Sequence, residues 1–348
     1  MDVVEPAAVK TDATESQAQA QGLADVSLSS RLLRPRTAIS FLIAAAVVVF
    51  AFSRLNLNLR DVLIEMSHAN PMYLGIAFVS YYSALALRAF RWQTLLKSAD
   101  IQPGEGKKIP GYPGLSVIFG ISWFVNCIVP AKLGDAYRGY LLKERARASF
   151  TATLGTIFAE RLVDLMTLAA FLAGSAYLVF GRNLPSVVSS WMTFAVALGV
   201  VLVSGTVLVF RFRTHLRGWV PERVRHHYVH LEQGVVGSFS RIPVVLLLTG
   251  AIWLLEGVRL YFVSVSVHAG VGPLGALFVA LLASLLTVVP LTPAGLGFVE
   301  VGVVGVLSLM GAAQQTAASV ALLDRVVAYW SVIVVGAVLY LVTRWRWR

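Results

Sequence analysis

The sequence has a single cysteine, Cys127, so no intrachain disulfide can form, and no cysteine-based zinc or iron–sulfur spacing exists. Cys127 sits inside an apolar run and reads as a small core residue. Charge is scarce too: 14% of residues are Asp, Glu, Lys or Arg, against about 25% in a soluble domain. A water-soluble fold needs more polar surface than that. No HExxH, GxSxG or Walker phosphate loop occurs, which removes the common zinc-peptidase, serine-hydrolase and nucleotide-hydrolase readings. His215, His226, His227 and His230 share one polar stretch without ligand spacing on a clear helix face. No metal and no cofactor is expected.

What the chain has instead is hydrocarbon. Hydrophobic residues make up 57% of it, and they come in long runs. About 20 consecutive apolar residues are needed to cross a bilayer as a helix. Runs at about 37–53, 72–96, 151–180, 187–210, 242–267 and 315–343 meet that need. Two further stretches, 114–130 and 273–310, are interrupted by Pro130 and by Pro290 and Pro293, which cannot continue a helix ladder. The fold class expected is all-α: a polytopic membrane helical bundle with six long spans plus re-entrant or broken helices. Residues 1–36 are polar and poor in aromatics and read as a disordered cytoplasmic tail. Residues 37–348 form the membrane domain.

The formal net charge is +11, but the basic residues lie in short clusters between apolar runs. That is the positive-inside pattern rather than a nucleic-acid footprint, so no nucleic-acid partner is expected. Arg31, Arg34 and Arg36 precede the first run, and Lys97, Lys107, Lys108, Lys143, Arg145 and Arg147 flank the stretch 114–130. This places both chain termini in the cytoplasm and makes 114–130 a hairpin that enters and leaves on one side. Segment 211–241 is too polar to cross and is a cytoplasmic segment: either an amphipathic helix in the headgroup plane or a solvated loop.

Self-comparison shows a repeat. Residues 130–134 read Pro-Ala-Lys-Leu-Gly and 293–297 read Pro-Ala-Gly-Leu-Gly. An acid follows each turn, Asp135 and Glu300. An acid–arginine pair then follows on a long helix: Glu160-Arg161 in the first unit, Asp324-Arg325 in the second. The units span about 72–180 and 242–343, and the charge pattern gives them opposite topology. Inverted repeats with broken helices are common in secondary transporters.

Ionisable residues inside the apolar runs cost about 2.5–3.5 kcal/mol each at the bilayer centre. Two explanations stand. They form structural ion pairs between the repeats, or they line a cavity for a charged headgroup. In the second case Arg138, Arg161, Arg259 and Arg325 hold phosphate oxygens, with Lys132 a further candidate. Asp135, Glu160, Asp164, Glu256, Glu300 and Asp324 orient those arginines or meet a cationic or polyol group. Glu160 and Asp164 share a helix face and need a cation opposite, such as Arg138 or Arg325. Glu256 and Arg259 are spaced to pair on one helix. Asn126 is placed either to bond backbone freed by the break at Pro130 or to contact ligand. Arg88, Arg91 and Trp92 read as a helix end anchored at the interface.

These residues, taken in order, resemble a known family. The elements are Arg91-Trp92, Asn126-x-x-x-Pro130-x-x-x-Gly134-Asp135-x-x-Arg138, Glu160-Arg161-x-x-Asp164, Pro290-x-x-Pro293-x-Gly295-x-Gly297-x-x-Glu300 and Asp324-Arg325. The set is similar to the flippase-like transmembrane domain of the lysylphosphatidylglycerol synthase family and covers about residues 35–345. In that pattern the acid after the first turn is Glu, where this chain has Asp135. The resemblance implies a multi-pass protein of the cytoplasmic (inner) membrane that binds or translocates an anionic or aminoacylated phospholipid or a lipid-linked glycan. It implies no lysyl-transfer activity, because that activity belongs to a soluble domain that would follow Arg348, and residues 1–36 are too short for the glycosyltransferase domain of a related protein. Two alternatives are an intramembrane lipid-modifying enzyme and a non-catalytic membrane partner of a separate lipid synthase. Self-association into a homo-oligomer is left open by the sequence.

Overall fold

The computed structural model describes residues 58–129, 133–181, 186–219, 221–287 and 292–346. The expected tail at 1–36 and the expected span at 37–53 lie outside the described residues. Among the described residues every regular element is helical. The helices are α1 (Leu59–Ser67), α2 (Pro71–Ser98), α3 (Tyr112–Ile128), α4 (Leu133–Ala146), α5 (Phe150–Phe180), α6 (Ser186–Trp219), α7 (Glu222–Ser238), α8 (Ile242–Ser266), α9 (Pro273–Leu286), α10 (Phe298–Leu309), α11 (Gln314–Arg325) and α12 (Ser331–Arg346). A π-helical turn, Val326–Trp330, joins the last two into one rod.

Among the described residues, four helical rods are long and apolar enough to cross a membrane: 71–98, 150–180, 224–266 and 314–343. Shorter apolar helices cover 112–128, 192–208, 273–286 and 298–309. Six long spans are therefore not established. The span expected at 187–210 falls within the helix α6. Exposed Leu247, Leu254, Val334, Val338 and Leu341 show that the rods carry large apolar side chains outward as well as inward. A helix that is apolar all round needs a hydrocarbon surrounding.

Local chemistry starts each rod. Asn70 caps α2 by accepting from Met72 N–H at 3.0 Å, with Pro71 at the first helical position. Ser149 caps α5 in the same way through Ala152 N–H. Helices α2 and α8 pack antiparallel along their whole length. Asn70 N–H donates to Ser266 O at 2.9 Å, Ser80 Oγ to Leu255 O at 2.7 Å, and Ser240 Oγ to Ser98 O at 3.4 Å.

Helices α3 and α4 form a tight hairpin. Ser122 Oγ donates to Gly134 O at 2.7 Å, and a Cβ on Gly134 would overlap the Ser122 carbonyl oxygen. Helices α9 and α10 form the second hairpin, packed where Gly302 meets Leu286. Its turn runs through Ala294, Gly295 and Gly297 at φ 49°, 70° and 88°, the left-handed region that glycine tolerates. The first hairpin starts and ends at the end of the bundle where Gly104 N–H bonds Ala146 O, beside Lys97, Lys107, Lys108 and Lys143. The second starts and ends at the opposite end, where Gly275 meets Met310.

Two expectations about polar stretches change. The basic stretch after Pro130, whose charges mark it as a cytoplasmic flank of 114–130, is helix α4 with Arg138 fully buried. The segment 211–241 contains the end of α6 and helix α7, which decides against a loop. Helix α7 packs on the bundle rather than lying apart: Gly155 of α5 and Gly234 of α7 meet backbone to backbone, and Gln233 reaches Ala99 O.

Candidate functional site

The buried charges gather into two groups near the hairpin turns. The first is built on α5, whose Glu160 and Asp164 point the same way one turn apart. Arg91 of α2, with no exposed surface, answers both. Its Nη1 donates to Asp164 Oδ1 at 2.6 Å and to Thr249 Oγ1 at 2.6 Å. Its Nη2 donates to Glu160 Oε1 at 2.9 Å and to Asp164 Oδ2 at 3.0 Å. The other oxygen of Glu160 takes Arg138 Nη2 at 2.8 Å. The Arg138 guanidinium is clamped between the rings of Trp92 and Phe119, at 4.8 and 4.9 Å. Arg161, on the next face, grips Asp135 with two parallel bonds of 2.9 Å. Asn126 ties this pair to the helix break: its Nδ2 donates to Asp135 Oδ1 and its Oδ1 accepts from Gly134 N–H at 2.8 Å.

The second group repeats the same scheme. Arg259 of α8 donates to Asp324 of α11 and to Glu256 on its own helix. Arg325 Nε donates to Glu300 Oε1 at 2.8 Å, and its other nitrogens reach Ala294 O and Gly295 O in the second turn. Glu300 in turn accepts from Gly297 N–H at 2.7 Å. The correspondence is position by position. In each unit, the acid of the acid–arginine pair receives an arginine from the unit's first long helix. In each unit, the arginine of that pair binds the acid that follows the glycine turn.

Arg88 joins the two groups. Its Nη1 lies 2.9 Å from Glu256 Oε1, an ion pair by distance without hydrogen-bond alignment. Its guanidinium sits 4.9 Å from the centre of the Trp123 ring, which also faces Arg161 at 5.8 Å. Trp123 Nε1 donates to Tyr81 Oη, and Tyr81 O–H donates to Ala328 O in the π-turn. Six arginines (88, 91, 138, 161, 259, 325) therefore face six carboxylates (135, 160, 164, 256, 300, 324). The balance is what makes burial affordable, because an unpaired ion in low dielectric costs several kcal/mol. Arg161 and Asp135 are the most accessible members, with side chains 28% and 17% exposed; every other member of these pairs is at 12% or below.

Of the residues expected from sequence, Asn126, Asp135, Arg138, Glu160, Arg161 and Asp164 meet in the first group. Glu256, Arg259 and Asp324 meet in the second, with Glu300 and Arg325 at the second turn. Lys132 lies outside the described residues. Of the two cations expected opposite Glu160 and Asp164, Arg138 does bind Glu160, whereas Arg325 is taken by Glu300 and Arg91 bridges both acids. The reading of Arg88, Arg91 and Trp92 as an interfacial anchor is also corrected, since all three are buried. The signal that could have found Arg91 is the pair of carboxylates at 160 and 164, which needs more cation than Arg138 supplies. Nothing in the sequence marked Tyr81, Trp123 or Thr249.

Residues 37–336 match the family described as the lysylphosphatidylglycerol synthase TM region. The chain belongs to this family. It is a multi-pass membrane protein, and two of the relatives below are described as membrane proteins. A UPF0104 membrane protein of Methanocaldococcus jannaschii is 33% identical over 221 residues, which is 62% of this chain and 93% of that protein. A UPF0104 membrane protein of Methanothermobacter thermautotrophicus is 22% identical over 324 residues, 85% of this chain and 93% of that protein. The glycosyltransferase AglD of Haloferax volcanii is 24% identical over 335 residues; the match takes 84% of this chain but 52% of that protein.

Proposed function

We propose that the chain translocates a phospholipid or a lipid-linked glycan across the cytoplasmic membrane, with the headgroup passing the Asp135–Arg161 pair between two inverted repeats. The observation that carries this reading is the matched pairing of Arg91–Glu160 and Arg161–Asp135 with Arg259–Asp324 and Arg325–Glu300. Two oppositely oriented units around one charged centre are the architecture by which transporters alternate access. Each turn carries a carboxylate–arginine pair that a phosphate or an ammonium can open by exchanging partners. The π-turn that follows Arg325 fits this use, since such turns gather at functional sites. On this reading the first hairpin faces the cytoplasm with both termini on that side, which the basic residues Lys97 at the end of α2 and Lys143 and Arg145 at the end of α4 support.

The lipid-linked glycan is favoured by one observation: the relative named glycosyltransferase AglD carries this membrane region within a chain about twice the matched length. A non-enzymatic role follows on this reading, with transfer chemistry left to a separate protein. The test is reconstitution of the purified chain in liposomes with fluorescent phospholipids and with polyprenyl-linked sugars in parallel. Wild type should move one class between leaflets. Equal movement by wild type and by the Arg161→Ala/Arg325→Ala double variant would sink the reading.

A further inference from the structure

Beside the charged centre lies an apolar groove of about 370 Å³ between α2, α3 and α12, within the size of ordinary ligand clefts. Leu85, Ser116, Phe119, Trp123, Val335 and Leu339 line it. Trp123 forms its inner end, and the same indole ring faces Arg88 and Arg161. One side chain therefore separates hydrocarbon from the accessible ion pair. Gly336 of α12 lies against the Phe124 side chain, so the helices close the floor behind the groove. A second groove of about 500 Å³, between α5, α6, α9 and α10, is lined by Leu172, Met192, Phe278 and similar residues. Among the described residues no charged side chain lines it.

We propose that the groove ending at Trp123 seats one hydrocarbon chain of the lipid whose headgroup meets Asp135 and Arg161. This rests on the reading that the charged centre takes a lipid headgroup. The argument is charge complementarity with continuity. An amphiphile needs a polar contact and an apolar contact that touch, and of these two grooves the first alone ends on the ion pairs. A chain leaving bilayer for an apolar groove exchanges hydrocarbon for hydrocarbon and gains little. The groove thus selects by position: it holds the tail while the head crosses, and the head supplies the affinity. Trp123 suits the junction, with an apolar ring face and an N–H already committed to Tyr81.

The test uses the full chain in liposomes that contain a phospholipid with a photoactivatable diazirine on one acyl chain. After irradiation, labelled peptides are located by mass spectrometry. Labelling should concentrate on 112–123 and 332–339 and exceed that of the second groove. It should be lost in Ala86→Trp and in Val335→Trp, which fill the groove from exposed positions and leave the ion pairs intact. Equal labelling of both grooves, or labelling unchanged in both tryptophan variants, overturns the proposal. So does a disulfide between Val335→Cys and Ala45→Cys with no lipid labelling, which would put the chain's own segment in the groove. Lipid movement measured on the same samples separates the two claims. Groove labelling without movement keeps the seat and drops translocation; movement without groove labelling drops the seat alone.

Discussion

Removing Arg91 tests whether the charged centre is held by balance. Arg91 makes four hydrogen bonds, three of them to carboxylates, from a position with no exposed surface. In Arg91→Ala, Glu160 keeps Arg138 at 2.8 Å. Asp164 keeps only Arg161 at 3.8 Å, and that guanidinium is already committed to Asp135. The variant thus leaves close to one buried carboxylate uncompensated, and breaking a buried pair in this way costs about 3–5 kcal/mol. That lowers the folding equilibrium constant by roughly two to three and a half orders of magnitude. Reversible unfolding in mixed detergent–SDS micelles, followed by tryptophan fluorescence, measures it. Adding Asp164→Asn restores neutrality and should recover about 1–3 kcal/mol as coupling in a double-mutant cycle. A loss below about 1 kcal/mol, as for an exposed pair, or a cycle with no coupling, would refute the reasoning.

Three other outcomes follow. Gly134→Ala forces a methyl group onto the Ser122 carbonyl oxygen and should cost about 1–3 kcal/mol, whereas Gly174→Ala, with open space around it, should be neutral or stabilising by up to about 1 kcal/mol; thermal aggregation in detergent ranks the two. Asn126→Ala removes the acceptor for Gly134 N–H at the start of α4 and should cost about 0.5–2 kcal/mol, with faster hydrogen exchange confined to 133–137. Tyr81→Phe leaves Trp123 Nε1 and Ala328 O without their shared hydroxyl and should cost about 1–3 kcal/mol, seen as a lower unfolding midpoint and a shifted Trp123 emission.

Much of the rod pattern is legible in the sequence because hydrocarbon thickness imposes a length that composition alone reveals. Rods 71–98 and 150–180 fall where apolar runs predict them, and the break at 290–297 marks the second hairpin, whereas the first, expected within 114–130, is instead the pair of α3 and α4. What the sequence hides is pairing at a distance. Arg91 sits beside Trp92 and looks interfacial, yet its partners lie on α5, some seventy positions on, and only packing brings them together. Helix α4 is missed for the same reason: its charges look solvated until Glu160 neutralises Arg138 across the bundle. Helix α7 is polar enough to pass for a loop, and the feature that docks it is a glycine contact, Gly155 on Gly234, which carries no hydrophobic signal.

The central claim is that two equivalent units share one path for a headgroup. The most direct measurement is the leaflet-to-leaflet rate of labelled lipid in proteoliposomes for Arg161→Ala and Arg325→Ala separately, each checked for folding beside wild type. Because the two arginines occupy matched positions, each single variant should slow movement strongly and to a similar degree. Wild-type rates in both, or loss in one with no effect in the other, would contradict it.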